Sequence, residues 1–277
     1  MKISFNSTIP IYFKSNTRKV RSNADGEIVT NADRRYYDKE FDNLLYENTT
    51  SFFRYDLNFA HNSEFKSTGN WVGFRKTISD YFKNVSKVNV YDFASSDGSE
   101  AYSLITSLIE ELGEKGAEKF FPILAYDIDS TMVEQAKAGK IPCNTDDIQR
   151  FNANITHLQK DKYFAFRKEQ QGTLPYSFIA KKSLKQKVKF NLADIQSSIR
   201  NIEPSNSLVL CRNFWPYLSK EDRNNTILEL SKKLDESSLV VIGCFDDSSV
   251  TAQFRKCGFE SIYPFIYKKT ATKSNLF

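Results

Sequence analysis

The spacing of apolar positions along this chain changes from one region to the next, most clearly between residues 88 and 112. From Val88 to Ala94 apolar and polar positions alternate among β-branched and aromatic residues, which predicts a strand. Small polar residues follow from Ser95 to Gly98. After Ser99, apolar residues recur at helical spacing. The stretch is therefore predicted to be a strand, a tight turn and a helix.

Strand and helix patterns then alternate along much of the chain. An amphipathic segment from Trp71 to Phe82 precedes the first strand, and an aromatic, hairpin-like run from Phe259 to Lys268 follows the last helix. The remaining predicted strands are Ile123 to Tyr126, Leu208 to Cys211 and Leu239 to Cys244, and the remaining helices are Ser130 to Lys137, Lys220 to Leu234 and Val250 to Cys257. This order predicts the α/β class, with a parallel sheet and helices on its faces.

The alternation is interrupted between residues 140 and 190. Residues 140–163 are polar with helical stretches, and Phe164 to Phe190 has the pattern of strands around a Gln171-Gly172 turn. We interpret a run of lysines there as the solvated face of a hairpin, with a surface for nucleic acid or an acidic protein as the alternative. The run comprises Lys181, Lys182, Lys185, Lys187 and Lys189.

Length and composition narrow the classes of protein. A chain of 277 residues suits one large domain, or one domain with a smaller companion. It has no run of 18 apolar residues and does not start like a secretory signal, so we expect a cytoplasmic protein without a membrane-inserted segment. The four cysteines are far apart and only two histidines are present, so neither a metal site nor a Ser-His-Asp triad is expected. The net charge of +5 is mild.

The turn after the first strand carries acidic residues. Gly98 is its only glycine, so the dinucleotide fingerprint and the P-loop are both absent and a pyrophosphate ligand is not expected. Asp92, Asp97 and Glu100 instead suit a ligand that carries ammonium, hydroxyl or sulfonium groups. The alternative is that the turn only connects a strand to a helix, as in any α/β domain.

A second acidic position follows the next strand. A carboxylate there can accept hydrogen bonds from both hydroxyls of a ribose, because it offers two acceptor oxygens to a vicinal diol. Asp127 is the candidate, and its alternative role is to cap the next helix. We interpret Asp129 as the cap and Asp127 as the ligand-binding residue.

Five segments together carry a resemblance to a known family. They are Asn48 to Arg54, Ser95 to Ser103, Ala125 to Asp129, Phe190 to Leu192 and Leu210 to Leu218. In the same order and at similar spacing, they resemble the CheR-type chemoreceptor glutamate O-methyltransferases. The resemblance implies S-adenosylmethionine as cofactor and a Rossmann-like class I methyltransferase sheet. It also implies a small antiparallel insertion at about 164–190 and a short helical N-terminal region. We therefore expect an N-terminal region at 1–85 and a methyltransferase domain at 86–277.

The resemblance also implies roles for individual residues. Asn48, Thr50 and Arg54 would cover the amino-acid end of the cofactor. Asp127 would bind the ribose and Glu100 another polar group of the cofactor. The remaining residues are Asn191 and Leu192 beside the adenine, Arg212 and Asn213 beside the methionine moiety, and Tyr217 near the transferred methyl. Arg54 and Tyr217 are the expected catalytic residues.

Several of these residues have simpler alternatives. Arg54 could pair with Asp56 at the surface, Tyr217 could be a core aromatic residue, and Asn191 could be a turn residue. The chemistry of the cofactor nevertheless agrees with these residue types. S-adenosylmethionine carries a sulfonium, an ammonium, a carboxylate and a diol. An aromatic ring, an acid, a cation and a second acid would match these four groups in turn.

The sequence thus predicts an S-adenosylmethionine-dependent enzyme that methylates a protein glutamate. We expect an acidic protein substrate such as a chemoreceptor, and nucleic acid is not favoured as a partner. The alternatives are a methyltransferase-like binding module without turnover, and a methyltransferase acting on a small molecule or nucleic acid. The sequence departs from the family pattern at Asp97 and Ser99, which lie in the turn expected to bind the cofactor. It departs again from Cys244 onward, on the expected substrate side.

Overall fold

The structure is a computed structural model that describes residues 71–170, 174–243, 246 and 248–270. The proposed cofactor-covering residues Asn48, Thr50 and Arg54 lie outside the described residues. Residues 1–70 of the expected N-terminal region also lie outside the described residues.

The described elements follow the predicted alternation closely. The helices are α1 (Trp71–Tyr81), α2 (Ser99–Ala117), α3 (Ser130–Ala138), α4 (Thr145–Asn154), α5 (Lys160–Tyr163), α6 (Lys182–Lys185), α7 (Ile195–Ser198), α8 (Lys220–Lys233) and α9 (Ser248–Lys256). The strands are β1 (Asn89–Phe93), β2 (Ile123–Asp127), β3 (Lys140–Cys143), β4 (Phe164–Lys168), β5 (Tyr176–Ala180), β6 (Val188–Leu192), β7 (Ser207–Cys211), β8 (Leu239–Ile242), β9 (Phe259–Tyr263) and β10 (Ile266–Lys269). Short 3-10 turns lie at Glu118–Phe120, Ile199–Asn201 and Trp215–Tyr217.

Seven strands form the main sheet, in the order β6-β2-β1-β7-β8-β10-β9. The first five are parallel, and β10 runs antiparallel to both of its neighbours, β8 and β9. Two buried apolar clusters cover the two faces of this sheet, one around α1 and α2 and the other around α8 and α9. The predicted α/β class with helices on both faces is confirmed.

A separate three-stranded antiparallel sheet, in the order β3-β5-β4, interrupts the alternation. It extends from residue 140 to residue 180, whereas the predicted insertion covered 164–190. The first strand, Lys140–Cys143, was missed because four residues that include a proline give no clear alternation. The end of the predicted segment, from Val188 onward, belongs instead to the edge of the main sheet. The division of the chain near residue 85 stays a prediction.

The interpretation of the lysine run as a hairpin face is wrong. Lys182 and Lys185 lie on α6, and Lys189 lies on the edge strand β6. These three side chains are nevertheless exposed, as is Lys181. The local pattern misled because a one-turn helix followed by a strand spaces its lysines much as a hairpin does.

Helix α2 starts at a glycine with a left-handed backbone. Gly98 has φ 82°, and a Cβ atom there would lie 2.8 Å from Phe190 Cζ and 3.0 Å from Ala136 Cβ. Both contacts belong to elements packed behind the turn, so only glycine allows the turn to close on them.

We expect Gly98→Ala to lower the free energy of unfolding by about 2–3 kcal/mol, through backbone strain and steric overlap together. Urea unfolding of the whole protein measures this loss. Gly258→Ala is the matched control, because Gly258 has a similar φ of 79° and its nearest neighbour is a single atom at 3.1 Å, Nζ at the end of the Lys269 side chain. The control should lose about 1 kcal/mol. Equal losses in the two variants would contradict the packing argument.

Candidate functional site

The site lies where neighbouring parallel strands end. Because β6, β2, β1 and β7 are adjacent and parallel, their carboxyl ends meet at one edge of the sheet. Open α/β sheets bind their ligands outside this edge. The predicted site residues of the described part follow these four strands or lie at their ends. They are Glu100, Asp127, Asn191, Leu192, Arg212, Asn213 and Tyr217.

The turn between β1 and α2 folds back against the end of β2. Ala94, Ser96 and Gly98 all have positive φ, at 57°, 48° and 82°. This conformation directs the Ser95 amide to the carbonyl of Tyr126 at 3.0 Å and the Ser96 amide to the neighbouring acid at the end of β2. The strained turn is therefore fixed by β2.

Asp97 stabilises the beginning of α2. Its carboxylate accepts hydrogen bonds from the Ser99 amide at 3.0 Å and from the Ser99 hydroxyl at 2.6 Å. Burial nevertheless raises the pKa of Asp97. Asp97 is one of the three acids predicted to suit a ligand at this turn. Its hydrogen-bond partner is instead Ser99, two residues away.

Asp127 is almost fully buried at the end of β2, with 3% of its surface exposed. One carboxylate oxygen accepts from the Ser96 amide at 2.8 Å and the other from the Asp129 amide at 2.9 Å. A carboxylate has about four acceptor positions, so capacity remains for a diol. Burial raises the pKa of Asp127 to about 6, and the amide hydrogen bonds oppose this rise.

The prediction that Asp129 caps the helix after β2 is confirmed. Its side chain is the N-cap of α3 and accepts from the amides of Thr131 at 2.7 Å and Met132 at 3.4 Å. The capping role that was the alternative for Asp127 therefore belongs to Asp129. Ligand binding by Asp127 stays a prediction.

A cavity of about 290 Å³ opens beside Asp127. This volume is close to the lower end of the range for small-molecule sites. Its walls come from the end of β2, the segment after β6 and the segment after β7, and include Ile128, Ala193, Gln196 and Phe214. Ile128 also has a partly exposed apolar side chain.

The two predicted β6 residues directly precede Ala193, which lines this cavity. Asn191 is part of the strand, so its alternative interpretation as a turn residue is wrong. The side-chain nitrogen Nδ2 of Asn191 donates to the backbone carbonyls of Lys189 at 3.1 Å and Ala125 at 3.3 Å. The next residue, Leu192, pairs with Asp127 in register and is 59% exposed. An exposed leucine at the sheet edge provides an apolar surface for a flat ring.

Glu100 and Arg212 form a buried ion pair that does not line this cavity. Glu100 Oε2 and Arg212 Nη1 are 2.5 Å apart, and 8% and 4% of their side-chain surfaces are exposed. The guanidinium carbon also lies 5.8 Å from the centre of the Trp71 ring. Asp92 is buried beside the pair, with 1% exposed. Arg212 is therefore one positive charge beside two acids, Asp92 on β1 and Glu100 on α2.

Sequence reasoning missed the group that holds the next two loops together. Asp246 accepts hydrogen bonds from the amides of Gly243 at 2.5 Å and Asn213 at 3.1 Å, so it joins the loops after β7 and β8. Asn213 has φ 59°, and a Cβ atom on Gly243 would lie 1.6 Å from its side-chain oxygen. Tyr217 is mostly buried in the 3-10 turn that follows. No periodic pattern indicates such a contact, because its residues are 33 positions apart.

Burial raises the pKa of Asp246 to about 8. Because an unfolded aspartate ionises near pH 4, the folded protein keeps a proton that the unfolded chain loses between about pH 4 and pH 8. Stability should fall as the pH rises through this window. Asp246→Asn removes the charge and retains an acceptor oxygen. We therefore expect its free energy of unfolding, relative to the unmodified protein, to increase from about pH 5 to about pH 8.

Asp235 provides the control, because its pKa is shifted in the opposite direction to that of Asp246. Burial opposes the effect, but hydrogen bonds from Ser205 and Ser237 outweigh it and lower the pKa of Asp235. Asp235→Asn should therefore differ from the unmodified protein by a constant amount between about pH 5 and about pH 8, as measured by urea unfolding at several pH values. A constant difference for Asp246→Asn as well would contradict its raised pKa.

Comparison with known proteins shows which family this chain matches. Residues 48–262 match the family described as CheR methyltransferase, SAM binding domain. The chemotaxis protein methyltransferase of Borreliella burgdorferi is 26% identical over 184 residues, which are 66% of this chain and 59% of that protein. The chain thus spans less than two thirds of this curated relative.

Solved structures of two methyltransferases are also similar. An O-methyltransferase family protein from Burkholderia thailandensis matches 95% of this chain and 72% of its own, with 10% identity and a TM-score of 0.40. Magnesium protoporphyrin IX methyltransferase from Synechocystis PCC 6803, with bound SAM, matches 89% of this chain and 96% of its own, with 13% identity and a TM-score of 0.33. Within the described ranges, none of the helices has the length and hydropathy needed to cross a bilayer.

Proposed function

Because the chain belongs to the CheR methyltransferase family, we propose that it transfers a methyl group from S-adenosylmethionine to a glutamate carboxylate of a protein. The proposed acceptor is an acidic protein such as a chemoreceptor. The observation that carries the proposal is the buried Asp127 at the carboxyl end of β2, beside a cavity of about 290 Å³.

The described residues suit this cofactor at three points. Asp127 has acceptor capacity for the ribose hydroxyls. Ile128 and Leu192 offer exposed apolar side chains where the adenine would lie. Glu100, which pairs with Arg212, is the proposed acid for the ammonium group. When bound, the cofactor supplies a methyl group on a positively charged sulfur.

The reaction makes modest demands on the protein. A glutamate side chain is already ionised at neutral pH, so no general base is required. The protein has to hold the acceptor oxygen in line with the methyl group and exclude water. Such positioning supplies roughly 7–11 kcal/mol in favourable cases. A site with few histidines is therefore compatible with this reaction.

Two residues are proposed to act at the reacting end. Tyr217 follows the strand β7 and lies in a turn whose backbone is fixed by hydrogen bonds from Tyr217 and Leu218 to Phe214 and Trp215. Its ring is the proposed aromatic neighbour of the sulfonium. Arg54 is proposed, from the family resemblance, to pair with the cofactor carboxylate.

We place the reaction in the cytoplasm as part of the same proposal. Cys143, Cys211 and Cys257 are free thiols in the described part of the chain, which agrees with a reducing compartment.

The test is a transfer assay with methyl-labelled S-adenosylmethionine, the purified protein and host lysate. Label that alkali releases as volatile methanol supports a carboxyl ester. Alkali-stable label in nucleic acid or in a small molecule would contradict the acceptor. Cofactor binding without any labelled product would contradict turnover and leave a binding module. Tyr217→Phe is a useful companion, since it retains the ring and removes only the hydroxyl.

A further inference from the structure

Asp92 is a buried acid to which no role in the proposed reaction has been assigned. It lies on β1, two residues before the turn, and is 1% exposed. Neither of its carboxylate oxygens has a hydrogen-bond donor among the described residues. Leaving a buried polar group without a partner is costly, and for an ionised group the cost is larger. The described residues therefore leave an ionised Asp92 without a hydrogen-bond donor.

The neighbours of Asp92 come from three other elements. Glu100 on α2 is close enough for a hydrogen bond between the two carboxyl groups. Such a bond exists only when one of them carries a proton. Arg212 after β7 is the cation that faces them, and Asp127 on β2 adds further negative charge. The Cys211 thiol on β7 is also near, and burial raises its pKa well above the usual value, so it stays protonated.

Among the residues that the structure describes, the charges of this cluster do not balance without a proton or a ligand. Asp92 and Glu100 bring two acids, whereas Arg212 brings one positive charge. A proton held between Asp92 and Glu100 removes the excess. An ammonium group in contact with the same pair would also remove it, and the proton would then no longer be required.

On this basis, and resting on the proposed function, we infer that Asp92 and Glu100 share one proton in the free protein and release it to solvent when the ammonium group of the cofactor binds. Asp92 is thereby a binding residue for the amino-acid arm. Cofactor affinity should then rise with pH, because the competing proton becomes scarcer.

The experiment is titration calorimetry of the whole protein in buffers of different ionisation enthalpy, near pH 7. S-adenosylhomocysteine is the first probe, since it carries the ammonium group and is not consumed. Methylthioadenosine is the matched probe, since it retains the adenosine and lacks the amino-acid arm. We expect release of about one proton with S-adenosylhomocysteine and much less with methylthioadenosine. Methylthioadenosine also carries the ribose. Its proton release therefore measures any proton that Asp127 loses when the ribose binds, and this amount is subtracted.

Asp92→Asn provides the variant test. Its amide donates permanently to Glu100 and so imitates the protonated acid without a proton to lose. We expect S-adenosylhomocysteine to bind this variant more weakly, without proton release and without dependence on pH. Glu100→Gln is the mirror variant, in which Asp92 becomes the acceptor, and it should also abolish the release.

The outcomes separate the two proposals. Binding of S-adenosylhomocysteine to the unmodified protein without proton release overturns the inference and leaves the proposed function intact. Equal proton release with both probes also overturns it, because the release would then come from the ribose end. Absence of binding for both probes overturns the proposed function, and the inference with it.

Discussion

Asp127→Ala is expected to weaken the binding of S-adenosylhomocysteine by about 100-fold to 1,000-fold. Hydrogen bonds to a charged group contribute about 1.5–3 kcal/mol each, and a ribose diol would make two of them to this carboxylate. Each 1.4 kcal/mol corresponds to a factor of ten in affinity, so their loss gives an effect of this size. Titration calorimetry measures it directly.

The variant also removes an acceptor from two backbone amides, those of Ser96 and Asp129. Part of the effect could therefore come from a displaced turn. Asp127→Asn separates the two causes, because it retains one acceptor oxygen and loses only the charge and the second acceptor. We expect an intermediate loss of affinity for this variant.

Asp129→Ser is the control for the neighbouring helix. Serine can still cap α3, so affinity should change by less than about threefold even if stability falls slightly. An Asp127→Ala protein that folds normally and binds S-adenosylhomocysteine as tightly as the unmodified protein would remove Asp127 from the site.

Arg212→Met is expected to lower the free energy of unfolding by about 3–5 kcal/mol. The substitution leaves Glu100 and Asp92 buried without their cation. The double variant Glu100→Gln with Arg212→Met should recover much of the loss, since neither partner is then left as an uncompensated charge. Urea unfolding of the two single variants and the double variant gives the coupling energy.

Lys137→Met is the matched control for this cycle. Lys137 pairs with Glu134 at 3.0 Å on the surface of α3, with 50% and 71% of the side chains exposed. Such exposed pairs contribute about 0–1 kcal/mol. If the Arg212 and Lys137 variants lose similar amounts, or if the Arg212 and Glu100 losses simply add, the buried pair is not what stabilises this edge of the sheet.

Much of the sheet could be predicted from sequence because its strands are buried. Strand β7 has no exposed residue and β1 is buried except for Asn89, so their apolar runs stand out from the helices between them. The capping role of Asp129 was also predictable, since a cap depends on residues only two or three positions away.

The other parts of the site depend on contacts between distant residues. Glu100 pairs with Arg212 across 112 positions, and Asp246 joins Asn213 to Gly243 across two loops. A sequence pattern identifies Glu100 as an acid at a helix start but cannot show that its partner is an arginine of the protein itself. The lysine run failed for a related reason, because only the tertiary structure assigns β6 to the main sheet instead of to the small one.

The position of β10 has a consequence for the synthesis of this protein. Strand β8 is fully buried, and its outer neighbour is β10, which runs antiparallel to it at Ile266–Lys269. During translation β8 therefore leaves the ribosome more than twenty residues before the strand that covers it. Over that interval its free backbone groups can pair with any other extended chain. A nascent chain arrested between β8 and β10 should bind chaperones and aggregate more readily than one arrested after residue 270.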